Sequence, residues 1–388
     1  MIVIDHSTDL NFAGAKGNYA SHPMHSYAAK FPPQLPRWAI EEFTQKGDKV
    51  FDPFVGSGTT LVEARILGRN SYGTEIDPLS RLIAQVKCTL VEELTLLLHV
   101  ISQARHPAIR DFLYIVFSSI IYTKGKGSMA NVMDLAHSRP HRVMKDAPPD
   151  VEKAFLARLK RLRKMMEELW AQSEHQVEAK IVGNDARHVP ALKTNSMDLV
   201  FNSPPYVNAI DYQRGHKFSV FWLAGALHTT PEEYLGLSKD YVGSDRLSKA
   251  ECLQRISNPL GVQTIDAFVR QLASQNHLKL AGIVQAYFEN MRLCMLEMLR
   301  VVKPGRPVII VVGPSNIKGA FIDTPQALGE LAEHLRFGSS TFRCIQILER
   351  KLDRDKRQLP ITRGIFGDGM KVEHAVVLEK INRGEISL

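Results

Sequence analysis

The segment from Lys49 to Asp77 constrains the fold of this 388-residue chain more than any other stretch. A short apolar strand, Lys49 to Phe51, runs into a turn containing Gly56 and Gly58, and a helix follows. A second strand is predicted from Ser71 to Ile76. Such a Gly-x-Gly turn brings backbone close to a ligand, because neither glycine has a side chain. The segment therefore predicts an α/β fold with a ligand at the carboxyl ends of its strands.

The same segment narrows the class of ligand. It has neither the third glycine of a dinucleotide-binding fingerprint nor the Gly-Lys-Ser/Thr of a phosphate-binding loop. Glu75 and Asp77 follow the glycines by about 20 residues, where the second strand of such a unit presents a carboxylate to ribose hydroxyls. The predicted ligand is therefore a nucleotide-like cofactor other than nicotinamide dinucleotide or ATP.

A second stretch, Asp198 to Tyr212, carries a polar and aromatic loop after an apolar strand. The loop consists of Asn202, Ser203, Pro204, Pro205 and Tyr206. The prolines fix the backbone and hold the Ser203 hydroxyl and the loop carbonyls in a set direction. Tyr206 offers an aromatic face beside these acceptors, which suits a planar base with an exocyclic amine. A proline-rich turn after a buried strand is the alternative interpretation.

Two more parallel strands are predicted, Ala179 to Asn184 and Asp198 to Phe201. Open α/β sheets bind ligands at the carboxyl ends of their strands. The glycine turn, Glu75, Asp185 and Ser203 are therefore predicted to converge on one edge of the sheet. For Asp185, capping a turn is an equally plausible role.

The positive charge of the chain is concentrated in one window. The chain carries a net charge of +8, and residues 101–165 hold 13 Lys or Arg against 5 Asp or Glu. Concentrated positive charge is what binding to a phosphate backbone requires, although a solvated helix face is the alternative. The predicted DNA-contacting residues are Lys124, Lys126, Arg139, Arg142, Arg158, Arg161 and Lys164, joined by Arg354 and Arg357 in a C-terminal linker.

Cysteine spacing and hydropathy argue against several classes of protein. The four cysteines are far apart and form no Cys-x-x-Cys pair, which indicates neither a zinc knuckle nor a disulfide framework. The amino-terminus lacks a basic-then-apolar signal pattern, and the longest apolar run, Phe112 to Tyr122, is too short to cross a bilayer. The sequence therefore predicts a cytoplasmic protein with no membrane partner and no metal.

One pattern points to a different class of enzyme. Pro149-Asp150, followed by Glu178 and Lys180, matches the loose PD…ExK arrangement of metal-dependent nucleases. Pro149-Asp150 also has the form of a helix N-cap, and Glu178 runs directly into an apolar strand that the α/β core uses. The match is therefore interpreted as accidental.

The motifs together resemble a known family, the amino-group methyltransferases that depend on S-adenosylmethionine. The resemblance is to the DNA methyltransferases of the cytosine-N4 and adenine-N6 type. The matching pieces are FDPFVGSGTT in the glycine turn, TEIDP after the second strand and NSPPY in the later loop. HSYAAKFPPQLP, which begins at His25, is similar to the family's additional cofactor-binding segment. Two stretches of the chain remain unmatched.

The resemblance implies a Rossmann-like class I methyltransferase fold. This fold is α/β, with a mostly parallel seven-stranded sheet, a C-terminal antiparallel hairpin and helical insertions. The cofactor it implies is S-adenosylmethionine. The implied cofactor-binding residues are His25, Lys30, Phe31, Asp52, Phe54, Gly56, Gly58, Thr59, Glu75, Asp77, Asp185 and Asn202. The implied catalytic residues are Ser203, Pro204, Pro205 and Tyr206.

The resemblance and the charge distribution divide the chain into five parts. Residues 1–98 form the cofactor-binding part of the core, 99–175 a basic helical insertion that contacts DNA, 176–223 the catalytic part, 224–284 a second insertion, and 285–388 the C-terminal part of the core. Either insertion is a candidate for target contact.

The implied reaction is methyl transfer to the exocyclic 4-amino group of cytosine in double-stranded DNA, after base flipping. Within the family, Ser-Pro-Pro-Tyr is commoner among enzymes that methylate cytosine, whereas Asp or Asn at the position of Ser203 is commoner for adenine. Asn202, directly before Ser203, keeps adenine-N6 methylation open. RNA base-amine methylation and a catalytically idle DNA-binding subunit are the further alternatives. A cognate restriction enzyme or defence component is an additional candidate partner.

Overall fold

The computed structural model describes residues 10, 12, 15, 17–27, 30–89, 106–121, 151–207, 212–351 and 372–382. Within them the helices are α1 (Gln34–Phe43), α2 (Thr59–Ile66), α3 (Pro78–Cys88), α4 (Pro107–Ile121), α5 (Val151–Gln172), α6 (Tyr212–Trp222), α7 (Pro231–Gly236), α8 (Lys249–Ile256), α9 (Gln263–Ser274), α10 (Leu278–Val301) and α11 (Thr324–His334). The strands are β1 (Lys49–Asp52), β2 (Asn70–Thr74), β3 (Ala179–Gly183), β4 (Leu199–Asn202), β5 (Pro307–Val312), β6 (Ser315–Ile317), β7 (Ala320–Ile322), β8 (Ser340–Lys351) and β9 (Val372–Asn382).

The described strands form a seven-stranded sheet in the order β3-β2-β1-β4-β5-β9-β8, and β6 and β7 form a separate small hairpin. Strands β1 to β5 pair in parallel, whereas β9 runs antiparallel to both β5 and β8. The chain order reverses between β1 and β4, and ligands bind at such a point in open α/β sheets. The prediction of a Rossmann-like, mostly parallel sheet with a C-terminal antiparallel hairpin is confirmed.

Helices cover both faces of the sheet. Side chains alternate along a strand, so Val50 and Leu199 face a core that includes α1, whereas Phe51 and Val200 face a core that includes α10. A third core joins α2, α3, α4 and α5 beside β2 and β3. Strands β1, β4 and β5 are therefore almost fully buried, as the apolar runs in the sequence predicted.

A buried carboxylate fastens the N-terminal residues 17–27 to α2. The Glu63 side chain is fully buried and accepts hydrogen bonds from the Tyr19 hydroxyl and from His22 Nε2, both at 2.6 Å. Arg37 Nε donates to the same carboxylate at 2.8 Å. Burial lowers the pKa of His22 to about 4, so this ring is neutral at pH 7. The segment that follows is thereby held beside the glycine turn.

Several elements differ from the sequence-based expectation. Residues 224–284, predicted only as a second insertion, contain α7, α8 and α9 and the beginning of α10. Helix α11 and the β6-β7 hairpin were not predicted from the sequence. None of the described helices is long and apolar enough to cross a membrane.

The nuclease-like residues lie away from the ligand-binding edge. Lys180 Nζ donates to Glu178 Oε1 at 2.8 Å, and both side chains are exposed. They lie at the start of β3, at the opposite end of that strand from its carboxyl end. Pro149-Asp150 lies outside the described residues.

Candidate active site

The glycine turn between β1 and α2 is the centre of the site. Gly56 and Gly58 have φ values of +51° and +83°, in the region that favours glycine. A methyl group added at Gly58 would lie 3.0 Å from the Cα of Ala84 in α3, so the turn packs directly on that helix. Thr59, predicted to bind cofactor, is the buried first residue of α2. The backbone of the turn can therefore approach a ligand closely.

Glu75 follows β2 and reaches over the glycine turn. Its Oε2 accepts a hydrogen bond from the Gly56 amide at 2.8 Å, and its Oε1 accepts one from the Asp77 amide at 2.9 Å. Burial, together with the negative charge of Asp77, raises the pKa of Glu75 to about 7. A partly buried carboxylate in this place can accept hydrogen bonds from ribose hydroxyls.

Two buried polar atoms at the ends of the neighbouring strands β1 and β4 lack hydrogen-bond partners within the described part of the chain: Asp52 Oδ2 and Asn202 Oδ1. Asp52 Oδ1 accepts from the Phe54 amide at 2.9 Å, and burial raises the pKa of Asp52 to about 7. A buried acceptor without a partner is costly, so both atoms are suited to a ligand that donates hydrogen bonds. An ammonium group, as in methionine, fits the Asp52 carboxylate.

The loop after β4 is held by contacts from the C-terminal strands. Ser203 is half-buried and Pro204 is buried, and Pro205 and Tyr206 are half-buried. The Tyr206 hydroxyl donates to Glu373 Oε1 on β9 at 2.8 Å. Arg350 on β8 donates to the other Glu373 oxygen at 2.5 Å. The tyrosine predicted to stack a base is therefore tied to the antiparallel end of the sheet.

The segment around His25 packs beside the turn, although its predicted ligands already have protein contacts. His25 Nε2 lies 3.0 Å from Ser118 Oγ in α4, and burial lowers the pKa of His25 to about 3. Lys30 Nζ donates to the carbonyl of His22 at 2.9 Å. Phe31 makes an edge-to-face contact with Phe201, with ring centroids 5.9 Å apart.

Tyr27 is a site residue that the sequence analysis missed. A methyl group added at Gly56 would lie 3.3 Å from the Tyr27 hydroxyl oxygen, which is itself 3.0 Å from Ser80 Oγ. The available signal was its position between His25 and Lys30 in the matched segment. Tyr27 thus lines the glycine turn from the N-terminal side.

Asp185, predicted to bind cofactor, is engaged in an ion pair. Arg187 Nε and Nη2 donate to its two carboxylate oxygens at 2.9 Å each, and Arg187 Nη1 also donates to Asn290 Oδ1 on α10. Although burial acts in the other direction, the hydrogen bonds from Arg187 hold the pKa of Asp185 below its usual value. The half-buried Asp185 follows β3, at the same edge as Glu75.

Three of the predicted DNA-contacting residues lie on α5, and they differ in environment. Arg161 and Lys164 are exposed, whereas Arg158 is half-buried and its Nη2 lies 3.5 Å from the carbonyl of Ser119 in α4. Leu162 and Met165, each directly after one of the exposed positions, belong to the buried face of the helix. The other predicted contacts, Lys124, Lys126, Arg139, Arg142, Arg354 and Arg357, lie outside the described residues.

Comparison with known proteins agrees with this geometry. A family model described as DNA methylase matches residues 9–85, which contain the His25 segment, the glycine turn and Glu75. The Type II methyltransferase M.BsoBI of Geobacillus stearothermophilus is 23% identical across 83% of this chain and 80% of its own length. The chain is therefore similar to DNA methylases over residues 9–85. The buried acceptors on Asp52 and Asn202 fit S-adenosylmethionine, the cofactor that this similarity implies.

Two other Type II methyltransferases match shorter parts of the chain. The Type II methyltransferase M.MjaII of Methanocaldococcus jannaschii is 47% identical over 66 residues, which are 17% of this chain and 12% of that protein. The Type II methyltransferase M.MvaI of Kocuria varians is 34% identical over 134 residues, which are 34% of this chain and 28% of that protein. These two matches therefore span much less than two thirds of either relative.

Proposed function

We propose that this chain transfers a methyl group from S-adenosylmethionine to the exocyclic 4-amino group of cytosine in double-stranded DNA. The observation that carries the proposal is the loop from Ser203 to Tyr206, which leaves β4 at the same sheet edge as the glycine turn and Glu75. Ligands bind at this edge in α/β sheets, so a cofactor and a planar base can meet there.

The residues of the loop match the requirements of the reaction. An exocyclic amine is a poor nucleophile, because its lone pair is delocalised into the ring. Ser203 Oγ and the Pro204 carbonyl accept hydrogen bonds from the amine protons and return electron density to the nitrogen. The Tyr206 ring stacks on the flipped base and fixes its plane. Bound S-adenosylmethionine supplies an electrophilic methyl group at this position, and the loop aligns the amine with it.

Cytosine is the proposed base because Ser203 occupies the first position of the Ser-Pro-Pro-Tyr loop. Adenine is the second candidate, and one observation favours it: the Asn202 side chain, directly before Ser203, has a buried oxygen without a partner among the described residues. The identity of the methylated nucleoside separates the two.

Duplex DNA is the proposed substrate, and residues 99–175 are its proposed contact. The exposed Arg161 and Lys164 on α5 support this assignment, as does the charge of the window. Helices α4 and α5 form the described part of this insertion between α3 and β3, and α7, α8 and α9 lie in the second one. The five-part division is proposed on the same grounds, with the linker containing Arg354 and Arg357 as a further DNA contact.

The proposed setting is the cytoplasm, with a cognate restriction or defence component as an additional candidate partner. A catalytically idle DNA-binding subunit is the competing class of function. Against it stand Glu75, Ser203 and Tyr206, which are all present at the positions that the resemblance implies. An RNA base-amine methyltransferase would share the same loop and would differ from the proposed enzyme in methylating RNA instead of DNA.

A methyl-transfer assay with labelled S-adenosylmethionine, on duplex DNA and on total RNA, tests the proposal. Mass analysis of the digested nucleosides should find 4-methylcytosine from DNA. Labelled 6-methyladenine would move the proposal to the other base, and label only in RNA would overturn the substrate. Cofactor binding without transfer to either nucleic acid would favour the idle subunit.

Variants of the loop provide the control for this assay. Ser203→Ala and Tyr206→Ala should each lose at least about 100-fold in transfer rate, since each removes a group that holds the reacting base. Cofactor affinity by calorimetry should stay near that of the wild type. Ser274→Ala, at an exposed position in α9, is the matched control and should behave like the wild type. Wild-type transfer by both loop variants would show that the loop is misassigned.

A further inference from the structure

Asp77 is saturated with contacts to the protein. Its side chain is 1% exposed. Oδ1 accepts from the Ser80 amide at 2.7 Å and lies 3.1 Å from His216 Nδ1. Oδ2 accepts from the Tyr241 hydroxyl at 2.9 Å and lies 3.1 Å from the Tyr234 hydroxyl, whose single proton it shares with the carbonyl of Gln213. Two partners for each oxygen fill the lone-pair sites of a carboxylate. Asp77 therefore has no acceptor left for a cofactor hydroxyl, despite lying two residues after Glu75.

The partners of Asp77 come from the region that follows the catalytic loop. His216 is on α6, Tyr234 is on α7, and Tyr241 follows a short 3-10 helix. Tyr234 is fully buried, and its hydroxyl also approaches the carbonyl of Gln213 at 2.9 Å. One carboxylate at the end of β2 thus fastens the region from α6 to Tyr241 to the cofactor side of the sheet.

Tyr241 connects this cluster to the catalytic loop. Gly243, two residues later, has a φ of +85°. A methyl group added there would lie 3.4 Å from the carbonyl oxygen of Tyr206 and 3.7 Å from Pro205 Cβ. Fixing Tyr241 therefore fixes a piece of backbone that lies against the two final residues of the loop.

His216 connects the same cluster to the cofactor segment. Its ring is 5.4 Å from that of Tyr27, the residue beside Gly56, and its Nδ1 is 3.5 Å from Ser80 Oγ. Although burial alone would lower it, the charge of Asp77 raises the pKa of His216, and His216 in turn holds the pKa of Asp77 near 2. The Asp77 carboxylate therefore favours the charged form of His216, and Glu75, Tyr234 and Tyr241 are the other titratable groups around the pair.

We propose that Asp77 is a positioning residue that holds the catalytic loop in place through Tyr241 and Gly243. This proposal rests on the proposed function, in which the loop from Ser203 to Tyr206 binds the reacting base. The Asp77 carboxylate joins the end of β2 to Tyr241. Gly243, two residues after Tyr241, lies against Pro205 and Tyr206 and so sets the position of Tyr206. Asp77 does not contact the cofactor.

Tyr241→Phe tests the proposal by removing one hydroxyl while keeping the ring. Hydrogen exchange of peptides covering Leu199 to Val207, measured without cofactor or DNA, should become several-fold faster. The single-turnover methyl-transfer rate should fall by about tenfold, the effect of one hydrogen bond to a charged group. Cofactor affinity should change by less than about twofold, since no cofactor contact is lost.

Tyr234→Phe is the matched control, because it removes a hydroxyl from the same carboxylate oxygen at a residue that is not next to the Gly243 turn. Exchange in the loop should stay at the wild-type rate in this variant. Equal acceleration in both variants, or none in Tyr241→Phe, would overturn the proposal.

Asp77→Asn should leave cofactor affinity within about twofold of wild type; a loss of tenfold or more would make Asp77 a cofactor ligand. Hydrogen exchange in the loop does not depend on methyl transfer. It therefore tests the positioning role of Asp77 separately from the proposed methyltransferase activity.

Discussion

At the scale of single residues, the unusual feature of the site is a pair of carboxyl groups with raised pKa values. Burial raises the pKa of Asp52 to about 7, and burial with the charge of Asp77 does the same for Glu75. A carboxyl with a raised pKa destabilises the folded protein above that pKa, and this cost is relieved as pH falls from about 7 towards the ordinary value near 4. The unliganded site thus carries a cost that a hydrogen-bond-donating ligand can offset.

Cofactor affinity should therefore depend on pH near neutrality. Protonation of Asp52 or Glu75 removes an acceptor, so affinity measured by calorimetry should weaken below about pH 7, by up to about tenfold per pH unit for each group. Asp52→Asn should flatten part of this dependence. At pH 8 the same variant should increase the free energy of unfolding of the unliganded protein by on the order of 2 kcal/mol, because it removes a buried charge. This increase should be seen as a higher melting temperature.

Glu41→Gln provides the control, since its side chain is more than half exposed on α1. It should leave both the pH dependence and the melting temperature unchanged. An Asp52→Asn variant with the full wild-type pH dependence would mean that Asp52 does not contact the cofactor.

At the scale of elements, α5 shows why a run of basic residues cannot be treated as one surface. Arg161 and Lys164 point to solvent, whereas half-buried Arg158 contacts the carbonyl of Ser119. Burial lowers the pKa of Arg158 below its usual value. The helix therefore places Arg161 and Lys164 on an exposed face and Arg158 against α4.

Substitution of these cations should have two distinct effects. Arg161→Gln and Lys164→Gln should each reduce the slope of log affinity for DNA against log salt by about one unit for each lost phosphate contact. Arg158→Gln should leave this slope unchanged and lower the free energy of unfolding by about 1 kcal/mol, because it loses a hydrogen bond and packing against α4. Titrations at several salt concentrations and denaturant unfolding measure the two quantities. Equal slope changes at all three positions would contradict the division of the helix.

At the scale of the whole molecule, the proposed catalytic loop joins the centre of the sheet to its antiparallel end. Tyr206 lies 167 positions before its partner Glu373 in the sequence, and Glu373 is paired with Arg350 across the β8-β9 hairpin. Both members of this ion pair are mostly buried, with side-chain exposures of 9% for Arg350 and 13% for Glu373. The C-terminal hairpin thus does more than close the sheet, since it supports the residue predicted to stack the base.

Loss of this link should slow methyl transfer without weakening cofactor binding. Tyr206→Phe, which keeps the ring, should lower the single-turnover rate by about tenfold, and Glu373→Gln should do the same by breaking the ion pair with Arg350. The double variant should be little slower than either single one, because both changes break one network. Glu349→Gln, at a half-exposed position on β8, should match the wild type. Fully additive losses would show that Glu373 acts independently of Tyr206.

The sequence by itself determined strands β1 to β4, the glycine turn and the position of Glu75 and Ser203 at one sheet edge. These features follow from local patterns, namely apolar runs, glycines that need positive φ and prolines that fix a loop. Only the tertiary structure decided which polar groups are free. Asp77 and Asp185 have the sequence context of ligands, and the structure shows Asp77 in contact with His216, Tyr234 and Tyr241, and Asp185 in contact with Arg187. The Asp77 carboxylate accepts from Tyr241, a partner 164 positions away, and no local pattern contains that information.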